Sequence, residues 1–235
     1  MPRFRFHATL DDLLPPELRG GREFEHRCAR NATAKHAIEA LGVPHTEVGL
    51  VLIDGHPGEL GRLLRETDVL EVFPAAPLLP AAGDPAPRFL ADAHLGALAR
   101  RLRLLGFDTV LARAAPDAGL AAFADAEDRI VLSRDRALLE HRRVARGRYV
   151  RARDSDAQLR EVVAHFGLSA CFRPFTRCLE CNAVLRQAEP AEVADRVPAR
   201  VAAEQHAFTV CSGCARVYWP GSHWRRLRAL VDSLG

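Results

Sequence analysis

Two Cys-x-x-Cys pairs, Cys178-Leu-Glu-Cys181 and Cys211-Ser-Gly-Cys214, constrain the fold of this chain more than any other feature. Each pair sets two thiols on one tight turn, and four thiolates complete a tetrahedral shell for Zn²⁺. The pairs are 29 residues apart, so a hairpin or two must return the chain between them. A ribbon of this kind stabilises a fold or contacts nucleic acid; it does not name a reaction. Cys28 and Cys171 stand alone, so no disulfide framework is expected and the pattern suits a reducing compartment. The opening Met1-Pro2-Arg3-Phe4-Arg5 lacks the apolar core of a signal peptide, and no apolar run approaches a membrane span. A cytoplasmic location is the expectation.

A chain of 235 residues holds one large domain or two to three small ones. Five prolines between Pro74 and Pro87 favour an extended, semi-rigid spacer. A second boundary falls near Ala170, ahead of the cysteines. The expected division is 1–75, a linker at 76–87, a domain at 88–170, and a ribbon with its tail at 171–235. Lys35 is the only lysine, so arginine carries the positive charge. The balance is uneven: residues 1–75 hold 9 basic and 12 acidic side chains, residues 76–170 hold 15 and 12, and residues 171–235 hold 9 and 6. The last two segments are the better polyanion binders.

In the first segment Phe4 to Thr9 alternates like an edge strand, and Phe24 to Cys28 suits a partner for it. Thr33 caps a helix carrying Ala34, Ala37, Ile38 and Leu41, which Gly42 ends. Val48 to Ile53 and Asp68 to Phe73 read as strands, with a turn at Asp54-Gly55. The order ββαββ predicts a β-grasp sheet crossed by one helix.

The middle segment alternates strands and helices, which implies a parallel sheet. Arg88 to Asp92, Asp108 to Leu111, Arg129 to Ser133 and Gly147 to Arg153 read as strands. Helices follow at His94 to Gly106 and after Pro116-Asp117, and Ser155-Asp-Ala-Gln158 reads as a capping box for a last helix through Phe166. Ligands of such sheets gather at the carboxyl ends of the strands. Asp92, Asp135 and Asp154 each end a strand there, and Asp117 starts a helix. Carboxylates on one rim repel one another, and a hard divalent cation such as Mg²⁺ or Mn²⁺ resolves that. A metal so held activates water and stabilises a phosphoryl transition state, so phosphodiester hydrolysis is the expected chemistry. Each of these acids also has a plain reading as a loop acid or helix cap. Ser133 can orient a carboxylate through its hydroxyl or merely end its strand. His94 reads as a surface histidine at a helix start.

Three long motifs resemble a known family. They are Phe89-Leu-Ala-Asp92-Ala-His-Leu-Gly-Ala-Leu-Ala-Arg-Arg-Leu-Arg-Leu-Leu-Gly-Phe-Asp-Thr109, Ile130-Val-Leu-Ser-Arg-Asp135-Arg136, and the cysteine pairs with Asn182 and the tail Tyr218-Trp-Pro-Gly-Ser-His-Trp224. Together they resemble the Mut-seven C-terminal RNase family. Ala37 to Gly49, with Leu52-Ile-Asp-Gly55, resembles the ubiquitin-like domain that precedes such nucleases, and it is similar to sulfur-carrier proteins. Those carriers end in a free Gly-Gly; here the chain runs on through Phe73-Pro74, and Gly20-Gly21 lies in a loop. An adaptor that docks a protein partner is the expected role for this segment.

The resemblance implies a PIN-like ribonuclease fold acting on RNA with Mg²⁺ or Mn²⁺, beside a structural zinc ribbon. Its acidic positions correspond to Asp92, Asp117 and Asp135. The further helical acid common in PIN-like proteins has no counterpart, and Asp154 is the candidate to complete the set. Arg100, Arg101, Arg103 and Arg134 are candidate RNA contacts, and Arg142, Arg143, Arg146, Arg148, Arg151 and Arg153 can extend a phosphate-contacting surface. Tyr218, Trp219, His223 and Trp224 form an aromatic cluster that can stack on unpaired bases and is expected to pack the ribbon onto its neighbour. The alternative to a ribonuclease is a non-catalytic RNA- or ribosome-binding adaptor with the same fold.

Overall fold

The computed structural model describes residues 1–78, 81, 84–112 and 115–234. Of the proline-rich linker, residues 79, 80, 82 and 83 lie outside the described residues, as does the side chain of His223. The N-terminal elements are β1 (Arg3–Phe6), β2 (Phe24–Glu25), α1 (Ala34–Ala40), β3 (Val48–Ile53), β4 (His56–Gly58) and β5 (Val69–Pro74). Then come β6 (Phe89–Ala91), α2 (Gly96–Leu104), β7 (Thr109–Leu111), α3 (Asp117–Ala126), β8 (Ile130–Ser133), α4 (Arg136–Glu140), β9 (Gly147–Tyr149) and α5 (Ser155–His165). The C-terminal part holds β10 (Leu185–Ala188), α6 (Pro190–Val193), α7 (Ala199–Glu204), β11 (Phe208–Cys211), β12 (Val217–Tyr218) and α8 (Ser222–Asp232). Among the described residues, no helix is long and apolar enough to cross a membrane.

Contacts divide the chain into two compact units, Met1–Pro77 with Ala114–Val150, and Leu78–Arg113 with Arg151–Gly235. In the first unit the N-terminal sheet runs in the order β2-β1-β5-β3-β4. Phe4 and Phe6 alternate with Arg3 and Arg5, so one face of β1 is wholly buried against Leu10, Ile38, Leu70 and Val72. The strand read as an edge is therefore internal: β1 pairs in parallel with β5 on one side and antiparallel with β2 on the other. The Gly20-Gly21 pair makes a tight turn whose N–H groups donate to the Asp11 carboxylate. Thr33 caps α1 as its sequence predicts, accepting from the His36 N–H.

Parallel pairing of β8 with β9 also belongs to this unit. The link between the β-grasp sheet and residues 114–150 is polar and buried. Glu47 is only 1% exposed; its carboxylate accepts from Arg148 Nη1 at 2.9 Å and from the Tyr149 N–H at 2.7 Å. His45 bridges Glu39 Oε1 at 2.8 Å and the Val144 carbonyl at 3.0 Å. Glu47 and His45 thus tie the turn before β3 to β9 and to the loop ahead of it. Arg148, expected on a phosphate-contacting surface, is spent here. Glu47→Ala should destabilise the protein by about 3–5 kcal/mol, because it leaves a buried guanidinium without its anion. Glu47→Gln, which keeps an acceptor for Tyr149, should cost less. Denaturant unfolding checks both, and an Ala variant as stable as the wild type would refute the role.

In the second unit β6 pairs in parallel with β7, and Phe89 makes edge-to-face contacts with Phe107 and Phe166. Helix α2 packs on α5 through its apolar face, and Arg101 Nε joins them by donating to Asp156 Oδ1 at 2.6 Å. Gly106 ends this helix at φ +97°, where a Cβ would lie 2.3 Å from the Arg173 carbonyl. Only glycine fits there, and the close approach lets Arg173 and Phe175 donate to the Leu105 and Leu104 carbonyls. Helix α5 starts one residue earlier than the capping box predicts. Asp154, not Ser155, is the N-cap, accepting from Asp156 and Ala157 N–H. The ribbon sheet follows in the order β10-β11-β12.

Candidate functional site

The four cysteines meet. Their Sγ atoms all lie within 4.8 Å of one another, with Cys178 and Cys214 at 3.6 Å and Cys181 and Cys211 at 3.2 Å. Zn–S bonds of about 2.3 Å imply tetrahedral S···S separations of about 3.8 Å, so these four close cysteines can hold a zinc ion after a small adjustment. The two turns share one geometry. Asn182 donates its N–H to the Cys178 carbonyl and Ala215 donates its own to Cys211, at 3.0 and 3.1 Å. In each turn the residue after the second cysteine is left-handed, with φ of 71° at Asn182 and 60° at Ala215. Asparagine tolerates that region and alanine does not. Ala215→Gly should therefore stabilise the ribbon by about 1 kcal/mol, read as a higher melting temperature; an unchanged or lower value would count against strain there.

The thiols do not ionise alike. Burial opposes a thiolate at Cys178, but the Tyr218 hydroxyl and backbone N–H groups of Cys181 and Glu180 donate to it and hold it at about 6. Burial and the neighbouring sulfurs push Cys181 up to about 12, against the Ala183 N–H. A set that cannot shed its protons together unaided is suited to a divalent cation, which offsets the crowded charge.

A second layer ties this centre to α2 and β7. Arg103 is buried; its Nε donates to the Thr109 carbonyl at 2.9 Å, and its Nη1 to the Leu179 and Glu180 carbonyls at 2.8 and 2.9 Å. This corrects the expectation of a phosphate contact: the guanidinium is consumed by three carbonyls beside the cysteines. Asn182 accepts from the Thr109 N–H at 3.0 Å and donates to Asp108 Oδ1 at 2.7 Å. Of the other candidate RNA contacts, Arg100 is exposed and reaches Glu180 at 3.3 Å, Arg101 holds Asp156, and half-buried Arg134 donates to the Val150 carbonyl at 3.3 Å.

The acids stand at element junctions. Asp92 follows β6, is 6% exposed, and accepts from the His94 N–H at 2.7 Å. Asp135 follows β8, is exposed, and caps α4 by accepting from the Ala137 N–H at 2.9 Å. The buried Ser133 hydroxyl accepts from the Asp135 N–H at 2.8 Å, which fixes the chain where that carboxylate begins. Asp117 is half-buried at the first turn of α3, after Pro116. Asp154 does not end a strand as expected, because β9 stops at Tyr149; it is exposed at the start of α5, and the Ala157 N–H holds its carboxyl below the usual range. Asp92 and Asp154 belong to one compact unit, Asp117 and Asp135 to the other. Among the described residues of each unit, the cysteines are the only group of three or more His, Cys, Asp or Glu side chains close enough to share an ion.

A β-grasp sheet, parallel strand pairs of which β6 and β8 are followed by acids, and a four-cysteine ribbon define a multi-part α/β protein. The comparisons agree. Residues 87–231 match the Mut7-C RNAse domain, and residues 2–78 match the Mut7-C ubiquitin model. The chain belongs to the Mut7-C RNAse domain family. No curated protein and no solved structure gives a match. The family points to a nuclease-type function with RNA as the substrate class.

Proposed function

We propose that this protein is a metal-dependent ribonuclease that hydrolyses RNA phosphodiester bonds. The observation that carries the reading is the family match over residues 87–231, within which Asp92 and Asp135 each follow a parallel strand and open a helical turn. Asp92, Asp117 and Asp135, with Asp154 as the fourth candidate, would hold Mg²⁺ or Mn²⁺. Carboxylates are the hard oxygen ligands such an ion takes, and Asp135 spends one oxygen on its cap and has no partner for the other among the described residues. A bound ion of this kind supplies a Lewis acid and a water of lowered pKa. The chain's own part is to orient. The Ser133 hydroxyl fixes the Asp135 backbone, and the caps at Ala137 and His94 fix the carboxylate rotamers of Asp135 and Asp92. Exposed Arg100 is suited to contact the RNA backbone. Zn²⁺ in the ribbon is structural, the β-grasp domain docks a protein partner, and the cytoplasm is the site of action.

The test is to titrate the full chain with Mn²⁺, reading free Mn²⁺ by its spin resonance, beside an RNA-cleavage lane. Saturable Mn²⁺ binding that weakens in Asp135→Asn, with RNA shortened, supports the reading. RNA that is bound but stays intact, with no Mn²⁺ taken up, makes the adaptor the correct one.

A further inference from the structure

The ribbon sheet has two faces with different fates. Residues Phe208 and Val210 of β11 point into a small core with Ala188, Val193 and Val197. The alternate residue Thr209, with Leu185 and Gln187 of β10, lines a cavity of about 530 Å³ that Phe208 also borders. Its walls are aromatic: Phe175, Tyr218, Trp219 and Trp224 all line it. Helix α8 supplies Trp224, which stacks on Phe175 with centroids 5.0 Å apart. Tyr218 cannot swing away, because its hydroxyl is bound to Cys178 Sγ at 3.1 Å and accepts from the Leu179 N–H at 3.2 Å. These side chains pack within the ribbon, Tyr218 on the Cys178 turn, Trp219 against the small core and Trp224 on Phe175, and both tryptophans also border the cavity.

The polar groups at this cavity point to a ligand. The exposed Gln187 amide and the part-exposed Thr209 hydroxyl line the cavity and are open to solvent or a ligand. Exposed Arg216 lines the cavity, and its guanidinium has no carboxylate partner among the described residues. The one lining acid, Glu180, is engaged by Arg100. Flat π-faces, the hydrogen-bonding side chains of Gln187 and Thr209, and the exposed Arg216 of the lining together match a base with its phosphate. The volume is that of a small-molecule pocket.

We propose that this ribbon cavity binds an unpaired nucleobase of single-stranded RNA, stacked on Trp219 or Trp224, with Arg216 on its phosphate. The proposal rests on RNA being the substrate class and gives the ribbon a recognition role beyond holding zinc.

The chain's two tryptophans both line the cavity, so intrinsic fluorescence reports on this place alone. The zinc-loaded full chain is titrated with a 2′-O-methyl oligoribonucleotide, which it cannot cleave, and separately with heparin and poly-glutamate. Saturable quenching by the oligonucleotide, and none by the two base-free polyanions, is expected. Arg216→Glu lies at the surface and should fold normally; it should weaken the oligonucleotide about tenfold or more. Trp219→Leu should weaken it by a similar factor. Unchanged emission while the protein still cleaves RNA would overturn the cavity and leave the ribonuclease standing. Quenching without any metal-dependent cleavage would keep the cavity and remove the ribonuclease. Equal quenching by heparin, quenching by poly-glutamate alone, or full affinity in Arg216→Glu would each overturn the base-binding proposal, the second in favour of an acidic protein partner.

Discussion

Asp92→Asn and Asp135→Asn should each lower Mg²⁺- or Mn²⁺-dependent RNA cleavage by about a hundredfold or more, with the fold intact. Each substitution keeps the size of the side chain and removes one negative charge from the proposed ion site, so the supply of activated water falls with metal affinity. The substitution is clean for a second reason. Both aspartates are also helix caps, accepting from the His94 and Ala137 N–H groups, and asparagine caps about as well as aspartate. Melting temperatures should therefore stay within a few degrees of wild type. Steady-state rates on single-stranded RNA decide this; both variants cleaving at the wild-type rate would put the chemistry elsewhere.

Stripping zinc should unfold more than the ribbon. Structural zinc sites contribute apparent binding energies of about 10–16 kcal/mol, most of which is folding energy. When the cysteine turns release, Arg103 loses the Leu179 and Glu180 carbonyls and Thr109 loses Asn182. A buried guanidinium left so costs several kcal/mol more, so disorder should spread to α2 and β7. Cys178→Ser and Cys211→Ser should behave as the chelated protein does. One zinc per chain by elemental analysis, and a large fall in melting temperature with a strong chelator, are the expected results. A zinc-free protein that melts at the same temperature would contradict them.

What could be read from the residues depended on how local the signal was. The cysteine turns announce themselves because two thiols three positions apart define one turn. The β-grasp sheet was legible in the alternation at Phe4 and Phe6 and in the Thr33 cap. The internal position of β1 was not, since Arg3 and Arg5 look like an edge and the parallel partner β5 lies more than 60 residues on. Arg103 looked like its exposed neighbour Arg100, because a helical arginine reads as surface until its carbonyl partners, some 76 residues away, are known. Glu47 carried no sequence signal at all, being one acid in a short turn whose partners are Arg148 and Tyr149. The shift of the α5 cap from Ser155 to Asp154 is a choice between two good caps in adjacent positions. The strand-end acids could be found by pattern, but their assignment to one ion rested on the family resemblance.

The most direct test of the central claim is the initial rate of cleavage of single-stranded RNA by the zinc-loaded full chain as Mn²⁺ is raised from zero. The account predicts no product without Mn²⁺ and a rate that climbs to saturation with it. RNA that stays intact at every Mn²⁺ and Mg²⁺ concentration, or cleavage as fast without either ion, would contradict it.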